Sequence, residues 1–386
     1  MTEKKILFSL LRSQLHKAPV EEKVKENLTP EILDAVCTLA NAHDLGHLVG
    51  QALSECKELP QTETVTKVKQ RAMQALVRYM TQTRDLLSIC KALEEAKISH
   101  IPLKGSVLRE YYPEPWFRTS GDIDVLVQRD DLEHASQFLQ EKLGYQYQAL
   151  SNHDVALRTP AGTYLELHYA VTEDMISPMQ SEIMSHVWEE AVCVEGKQYE
   201  KKMSDEMFYF YHIAHMAKHF LYGGCGIRPL MDIWVMHNRM SFDWEKCADL
   251  LQQGGLLTFA KKAEKLANIW FSGENTEKIS QKMEDYILDG GVYGTVEKRV
   301  EIYQVRAGSK VKYFFSRLFL SYDELKYYYP ILIKHKWLYP FCQVARWFGL
   351  VFGKGKTHAK AVFRSNSQLE NENLNKTSQF LKEIGL

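Results

Sequence analysis

Apolar residues recur every three or four positions from Glu3 to about Lys97, as in Ile32, Val36, Leu39 and Ala40. That spacing gives a helix one buried face. Thr29-Pro30-Glu31 supplies a cap and a first-turn proline. Residues 65–97, rich in Ala, Gln, Lys, Leu and Arg, predict one or two continuous helices. Near Ile98 the period changes. Residues 98–103 predict a short strand, Gly105-Ser106 opens a helix toward Tyr112, and Asp122–Val127 predicts a strand bounded by Gly121. Residues 130–143 form an amphipathic pattern ended by Gly144, and 154–158 with 163–169 predict a hairpin around Pro160-Ala161-Gly162. Helical spacing returns at 207–220, 227–240, 244–253 and 256–271.

The pattern predicts an α+β chain in four stretches: helices over 1–95, an α/β core over 96–200, a helical domain over 201–290, and a basic aromatic helical region over 291–386. The Gly290-Gly291-Val292-Tyr293-Gly294 turn marks a boundary, and the tail from about Asn366 is polar and expected to fray.

Composition narrows the function classes. With 48 Lys+Arg against 49 Asp+Glu there is no basic excess, so no specific nucleic-acid partner is expected. The seven cysteines lie far apart without a CxxC pair, which excludes a disulfide framework and a zinc ribbon and fits a reducing cytoplasm. The first fifteen residues lack a cleavage site and read as an amphipathic helix. Residues 337–352 are interrupted by Pro340, Gln343 and Arg346, too short a run to span a bilayer. Contact with the inner membrane face is at most peripheral. Residues 310–364 carry eleven Lys/Arg against only Asp323 and Glu324, interleaved with aromatics. This composition suits an anionic membrane surface or a polyanionic acceptor, or else a helical domain with core aromatics and solvent-facing lysines.

The candidate chemistry lies in 104–127. On a strand, Asp122 and Asp124 project from one side while Ile123 and Val125 go to the core. Two adjacent carboxylates call for a neutralising cation, and Mg²⁺ (or Mn²⁺) prefers such oxygen-rich settings. The alternative is a solvated strand edge. Lys104-Gly105-Ser106 upstream changes the balance, because a glycine and a small hydroxyl residue at a strand-to-helix turn let backbone N–H groups cradle a phosphate. Glu166 and His168 share one face of the alternating run 164–169, which offers a third carboxylate and a pocket imidazole.

A glycine-serine turn, a helix, an Asp-x-Asp strand and a later acid on a neighbouring strand resemble the DNA polymerase β-like nucleotidyltransferase superfamily. Leu103-Lys104-Gly105, Tyr112-Pro113, Arg118, Gly121-Asp122-Ile123-Asp124 and Glu166-Leu167-His168 are similar to the uncharacterised nucleotidyltransferase family of bacterial peptide- and polysaccharide-biosynthesis settings. So are 212–219, Arg228-Pro229-Leu230-Met231-Asp232, Asp243-Trp244 and Tyr329-Pro330. The resemblance implies a small mixed-sheet nucleotidyltransferase core. It implies that Asp122 and Asp124 bind Mg²⁺ bridging a triphosphate, with Glu166 as third ligand or as activator of an acceptor hydroxyl. Gly105 and Ser106 would hold the leaving β- and γ-phosphates, and Lys104 and Arg118 would neutralise phosphate charge unless they are surface charges beside a loop. Lys104 before the Gly-Ser pair and the long stretch to Asp122 depart from many superfamily members.

Several other features carry alternatives. His212, His215 and His219 share a helical face, which admits a zinc site, a face over the nucleotide with Lys218 or His219 touching phosphate, or satisfied buried positions. Asp232 could orient a pocket cation, act as base, or pair with Arg228 four residues before it. His43-Asp44 lacks the separate His and Asp of metal phosphohydrolases, and Gly353-Lys354-Gly355-Lys356-Thr357 has its first P-loop glycine displaced. The sequence therefore predicts a Mg-dependent transfer of an NMP from an NTP, ATP by preference, to a small-molecule, peptide or glycan-precursor acceptor. The rivals are a non-catalytic nucleotide-binding or membrane-docked scaffold and a phosphotransferase.

Overall fold

In the computed structural model, which describes residues 1–56, 59–60, 62–151, 153–171, 177–274, 278–292, 294–352 and 371–386, the change of period near residue 98 is where a five-stranded sheet begins. Its strands are β1 (His100–Pro102), β2 (Asp122–Val127), β3 (Gln146–Leu150), β4 (Asp154–Arg158) and β5 (Tyr164–His168), in spatial order β1-β2-β5-β4-β3. β2 and β5 run parallel and every other pair is antiparallel, so the sheet is mixed. The parallel register sets Asp124 opposite Glu166 and Asp122 opposite Tyr164.

Alternation sends Ile123, Val125, Val127, Leu165 and Leu167 to one face of the sheet, where they pack with Ile89, Leu93, Ala135 and Leu139. Those last four come from two helices, Glu63–Glu95 and Leu132–Leu143. Each such side chain removed from water contributes about 1.5–3 kcal/mol. A one-residue slip of β2 would exchange these aliphatics for the aspartates, so the same packing that stabilises the sheet fixes the acids on its open face. The hairpin of β4 and β5 forms as expected. β3, exposed throughout, is an edge strand that buries neither face.

The longer helices before the sheet are α1 (Glu3–Leu15), α2 (Pro30–Ala42), α3 (Gly46–Ser54) and α4 (Glu63–Glu95); α5 is Leu132–Leu143. After the sheet come α6 (Asp205–Leu221), α7 (Arg228–Arg239), α8 (Trp244–Gln253) and α9 (Leu257–Phe271). α1 packs on α9 through Phe8 stacked on Trp270, ring centroids 4.5 Å apart, and through Arg12 donating to the Trp270 carbonyl. α3 approaches α4 so closely that a Cβ on Gly50 would lie 2.0 Å from the Val68 carbonyl oxygen; only glycine fits there. Around His43-Asp44 the chain is held by contacts within the fold. Asp44 pairs with Arg228, and His47 bonds the Phe117 carbonyl at 2.9 Å, its pKa pushed down to about 4 by burial.

The chain divides into two compact units, 1–218 with 227–284, and 219–226 with 285–386. The first holds the whole five-stranded sheet. The second contains α10 (Val296–Ala307), α11 (Lys310–Leu318), α12 (Tyr322–Tyr328), α13 (Tyr339–Phe352) and α14 (Asn371–Ile384). α14 corrects the expectation of a frayed tail over its residues. Leu374, Thr377, Leu381 and Ile384 repeat at three and four, and this sparse stripe docks the helix on α10 with Leu381 and Ile384 buried. Leu320, Leu325, Leu332 and Cys342 form a small core in this unit, while Phe315, Ile333, Trp337, Phe341 and Phe348 stay exposed. The Gly353–Thr357 segment lies outside the described residues. Among the described residues, no helix is long and apolar enough to cross a membrane.

Candidate functional site

Where β1 ends, the Leu103 N–H donates to the Asp124 carbonyl at 3.0 Å and the Ser106 N–H to the Leu103 carbonyl at 3.2 Å. The turn so closed places Lys104 at φ 47°, ψ −122°. These are the angles of the first central residue of a type II′ turn, a position that favours glycine. Holding a lysine there costs about 1–3 kcal/mol. The result is a side chain aimed back over β2, with Nζ 2.7 Å from Asp124 Oδ1 and 4.0 Å from Glu166 Oε2. Gly105 follows because a Cβ would sit 3.1 Å from the Ser120 Cβ and 3.4 Å from Arg118 Nη1. Ser106, buried, lies in the single helical turn Gly105–Leu108.

The acids differ in how they are held. Asp124 is buried, and its Oδ1 takes both Lys104 and, at 2.9 Å, His168 Nε2. Burial opposes its charge, but Lys104 and His168 prevail and hold its pKa well below the usual carboxylate range. Asp122, two residues away, is pushed up to about 6 by burial and by the charges of Asp124 and Glu166. Glu166 is partly exposed, with Oε2 3.4 Å from His168 Nε2. Burial alone would lower the His168 pKa, but its bonds to Asp124 and Glu166 raise it. Donor atoms of Asp124, Glu166 and His168 lie within 4.8 Å of one another.

α6 brings Tyr211 and Lys218, seven residues apart, to the same charges. Burial and Lys104 push the Lys218 ammonium down to about 8, with Glu166 acting the other way. Burial raises the Tyr211 hydroxyl well above its ordinary value, and Asp124, Glu166 and Asp122 act in the same direction. Tyr211 was not foreseen, because in the apolar run of α6 it reads as core.

A second cluster joins two of the anticipated residues. Asp232, fully buried on α7, accepts from Arg118 Nε at 2.7 Å and from the Tyr112 hydroxyl at 2.6 Å through one oxygen, Oδ1. Its Oδ2 is buried with no hydrogen-bond partner among the described residues. The alternative of an Arg228–Asp232 pair is thereby corrected: Arg228 turns to Asp44, and Asp232 orients Arg118 instead. Arg118 is close to Gly105 and fixed in direction, its second nitrogen donating to the Thr119 carbonyl at 2.7 Å. Beneath it Arg109, also unforeseen, donates to the Gly105 carbonyl at 2.9 Å, to Ser120 Oγ at 2.9 Å and to Gln82 Oε1 at 3.2 Å. The helical spacing from Gly105 to Arg109 was its available signal.

The three histidines of α6 separate. His212 bonds the Pro229 carbonyl at 3.0 Å and burial pushes its pKa down, while His215 lies beside the Tyr211 ring. His219 belongs to the second unit, where its carbonyl accepts from Tyr222 and Gly224. Among the described residues, they do not gather into a metal donor set.

A family model described as uncharacterised nucleotidyltransferase matches residues 29–272. The chain belongs to that family. No curated protein and no solved structure matches it. The nucleotidyltransferase match runs from the cap of α2 to just past α9, so it takes in β1 to β5, the Lys104 turn, the acids and the Arg118–Asp232 pair. The donor chemistry of this site fits a hard divalent cation: three carboxylates converge, and burial, Asp124 and Glu166 raise Asp122 against the opposing charge of Lys104.

Proposed function

We propose that this nucleotidyltransferase moves an NMP from an NTP, with ATP the preferred donor, to a hydroxyl or phosphate of its acceptor and releases pyrophosphate. The observation that carries the reading is the convergence of Asp122, Asp124 and Glu166 on one open sheet face beside the Lys104-Gly105-Ser106 turn. Asp122, Asp124 and Glu166 would hold Mg²⁺ or Mn²⁺, which when bound would polarise the α-phosphate and offset triphosphate charge. Lys104 and Lys218 supply point charges for phosphate oxygens, and Arg118, locked by Asp232, supplies a planar fork near Gly105. Gly105 offers its backbone N–H, and Ser106 its hydroxyl, to the β- and γ-phosphates. Glu166, the more accessible acid, takes the proton of the attacking hydroxyl. His168 keeps Asp124 and Glu166 oriented. The acceptor oxygen bonds the α-phosphorus, the α–β phosphoanhydride bond breaks, and pyrophosphate carries away the electron pair. Acceptors with a small-molecule, peptide or glycan-precursor hydroxyl fit this chemistry.

Protein incubated with Mg²⁺, α- or γ-labelled NTP and fractionated lysate tests this. Label transferred from the α position, and lost in Asp124→Asn, is the expected outcome. Transfer from the γ position alone would make the protein a phosphotransferase, and nucleotide binding without transfer across all fractions would favour the scaffold.

A peripheral membrane role for 310–364 rests on a separate observation, the exposed Phe315, Trp337, Phe341 and Phe348 amid an excess of Lys and Arg. Sedimentation with anionic vesicles, lost at high salt and in Trp337→Ala/Phe341→Ala, is expected; equal binding to neutral vesicles would remove the electrostatic component. A cytoplasmic setting follows from the same reading.

A further inference from the structure

His100 opens β1 at the end remote from Lys104, and it is fully buried. Its Nδ1 bonds the Ile98 carbonyl at 2.9 Å, so this nitrogen carries the proton and Nε2 is the bare one. That Nε2 is buried with no hydrogen-bond partner among the described residues. A buried, unsatisfied acceptor costs about 1–3 kcal/mol. The buried Cys90 thiol from α4, the His100 imidazole and the carboxylate of Glu200 come together, one donor atom of each lying within 4.8 Å of the others. Glu200 is held in place from behind: Glu94, one turn beyond Cys90, accepts from the backbone N–H of Gln198 at 2.7 Å, Tyr199 at 3.0 Å and Glu200 at 2.9 Å. The His100 N–H donates to the Tyr199 carbonyl at 3.0 Å, and His100 bridges Glu200 in parallel. Three distant segments therefore meet at one point through firm backbone contacts.

We infer that Cys90, His100 and Glu200 form a second metal site, distinct from the carboxylate site and suited to a zinc-class dication. The arrangement of His100 is that of a metal-ligating histidine, with one nitrogen oriented by a backbone carbonyl and the other bare. A thiolate, an imidazole and a carboxylate select zinc over magnesium. Bonds of roughly 2.0–2.3 Å require the donors to close by about an ångström, within the reach of side-chain rotation. One thiolate and one carboxylate balance the two positive charges, and water completes a fourth position. Lys197, whose Nζ is 3.7 Å from Glu200 Oε2, is partly exposed and would yield to the ion by swinging into solvent. Burial raises the Cys90 thiol to about 12, so coordination forms the sulfur–metal bond by expelling the thiol proton to water. The ion would clamp α4 to β1 and to the chain entering the strand Lys201–Lys202.

Full-length protein stripped of metal and titrated with Co²⁺ tests this, because the carboxylate site contains no sulfur. The expected result is one equivalent bound with thiolate-to-cobalt charge-transfer absorption, displaced by Zn²⁺. The absorption disappears in Cys90→Ser, affinity falls at least about tenfold in His100→Gln, and both readouts persist in Asp122→Asn. Where a variant fails to fold, the wild-type protein decides: Zn²⁺ should release a proton and raise the thermal midpoint. Absence of a thiolate band at stoichiometric Co²⁺, its survival in Cys90→Ser, or zinc addition without proton release overturns the inference.

Discussion

The two ends of β1 gather opposite kinds of donors within four residues. At the Lys104 end three carboxylates meet Lys104 and His168, and the protein has already arranged much of the charge balance: Asp124 is anchored, its bonds favour the charged form of His168, and Asp122 is left raised by its neighbouring acids. At the His100 end burial disfavours the charged forms of both imidazole and thiol, and a bare nitrogen lies in the same cluster as the sulfur. The difference separates two ways of favouring a cation. One is residual negative charge on hard oxygens, and the other is a preshaped soft donor set that becomes charged only as the ion displaces a proton. A single short strand can serve both because α4 and the chain before Lys201 reach one end, while β2, β5 and α6 reach the other.

Removing acids should break this contrast most visibly. Asp124→Asn leaves Lys104 and His168 with their main counter-charge gone, and stripping one partner from such a buried pair costs about 3–5 kcal/mol. Asp122→Asn should act in the opposite direction. Its folded pKa, about 6, lies above that of the unfolded carboxyl, so the native state prefers the protonated form. The stability from this group is complete below the unfolded pKa and is lost as pH rises through about 6. An asparagine escapes that loss, which is worth about 1–3 kcal/mol at pH 7.5 without divalent ions. Urea unfolding of both variants at pH 7.5 and pH 5 measures it. Equal destabilisation by the two substitutions would mean that the acids are not differently held, and a gain in Asp122→Asn that fails to shrink at pH 5 would remove the electrostatic cause.

Much of the acid end was legible in the sequence. Asp122 and Asp124 lie on an alternating strand, Glu166 and His168 on another, and the Lys104-Gly105-Ser106 turn between periods; local pattern is enough to set all of these on one face. Cys90, His100 and Glu200 were not legible. Cys90 sits within a helix, His100 reads as one more strand residue, and Glu200 lies one hundred residues further on, so only long-range pairing unites them. The same limit applies to Arg118, whose partner on α7 was misassigned in one of the alternatives because a four-residue helical spacing to Arg228 offered a nearer choice. α14 was hidden differently, by polar composition around a sparse stripe of three aliphatics and Thr377.

The smallest expected effect isolates the turn that distinguishes the Lys104 end. Lys104→Ala and Lys104→Gly both remove the ammonium from Asp124, so the loss of that ion pair cancels when the two variants are compared. What remains is the backbone. At an ordinary helical or extended position glycine would be the less stable of the two by about 0.5–1 kcal/mol. At φ 47° and ψ −122°, where a Cβ is strained and glycine is not, the sign should reverse. Lys104→Gly is therefore expected to be more stable than Lys104→Ala by about 1 kcal/mol, read as a higher denaturant midpoint at unchanged slope. An alanine variant equal to or better than glycine would show that the turn relaxes when the lysine is lost and that the Lys104–Asp124 contact itself imposes the strained conformation. Because neither substitution touches Cys90, His100 or Glu200, the thiolate-to-cobalt absorption should stay constant in both. A change there would mean that β1 transmits strain between its two ends.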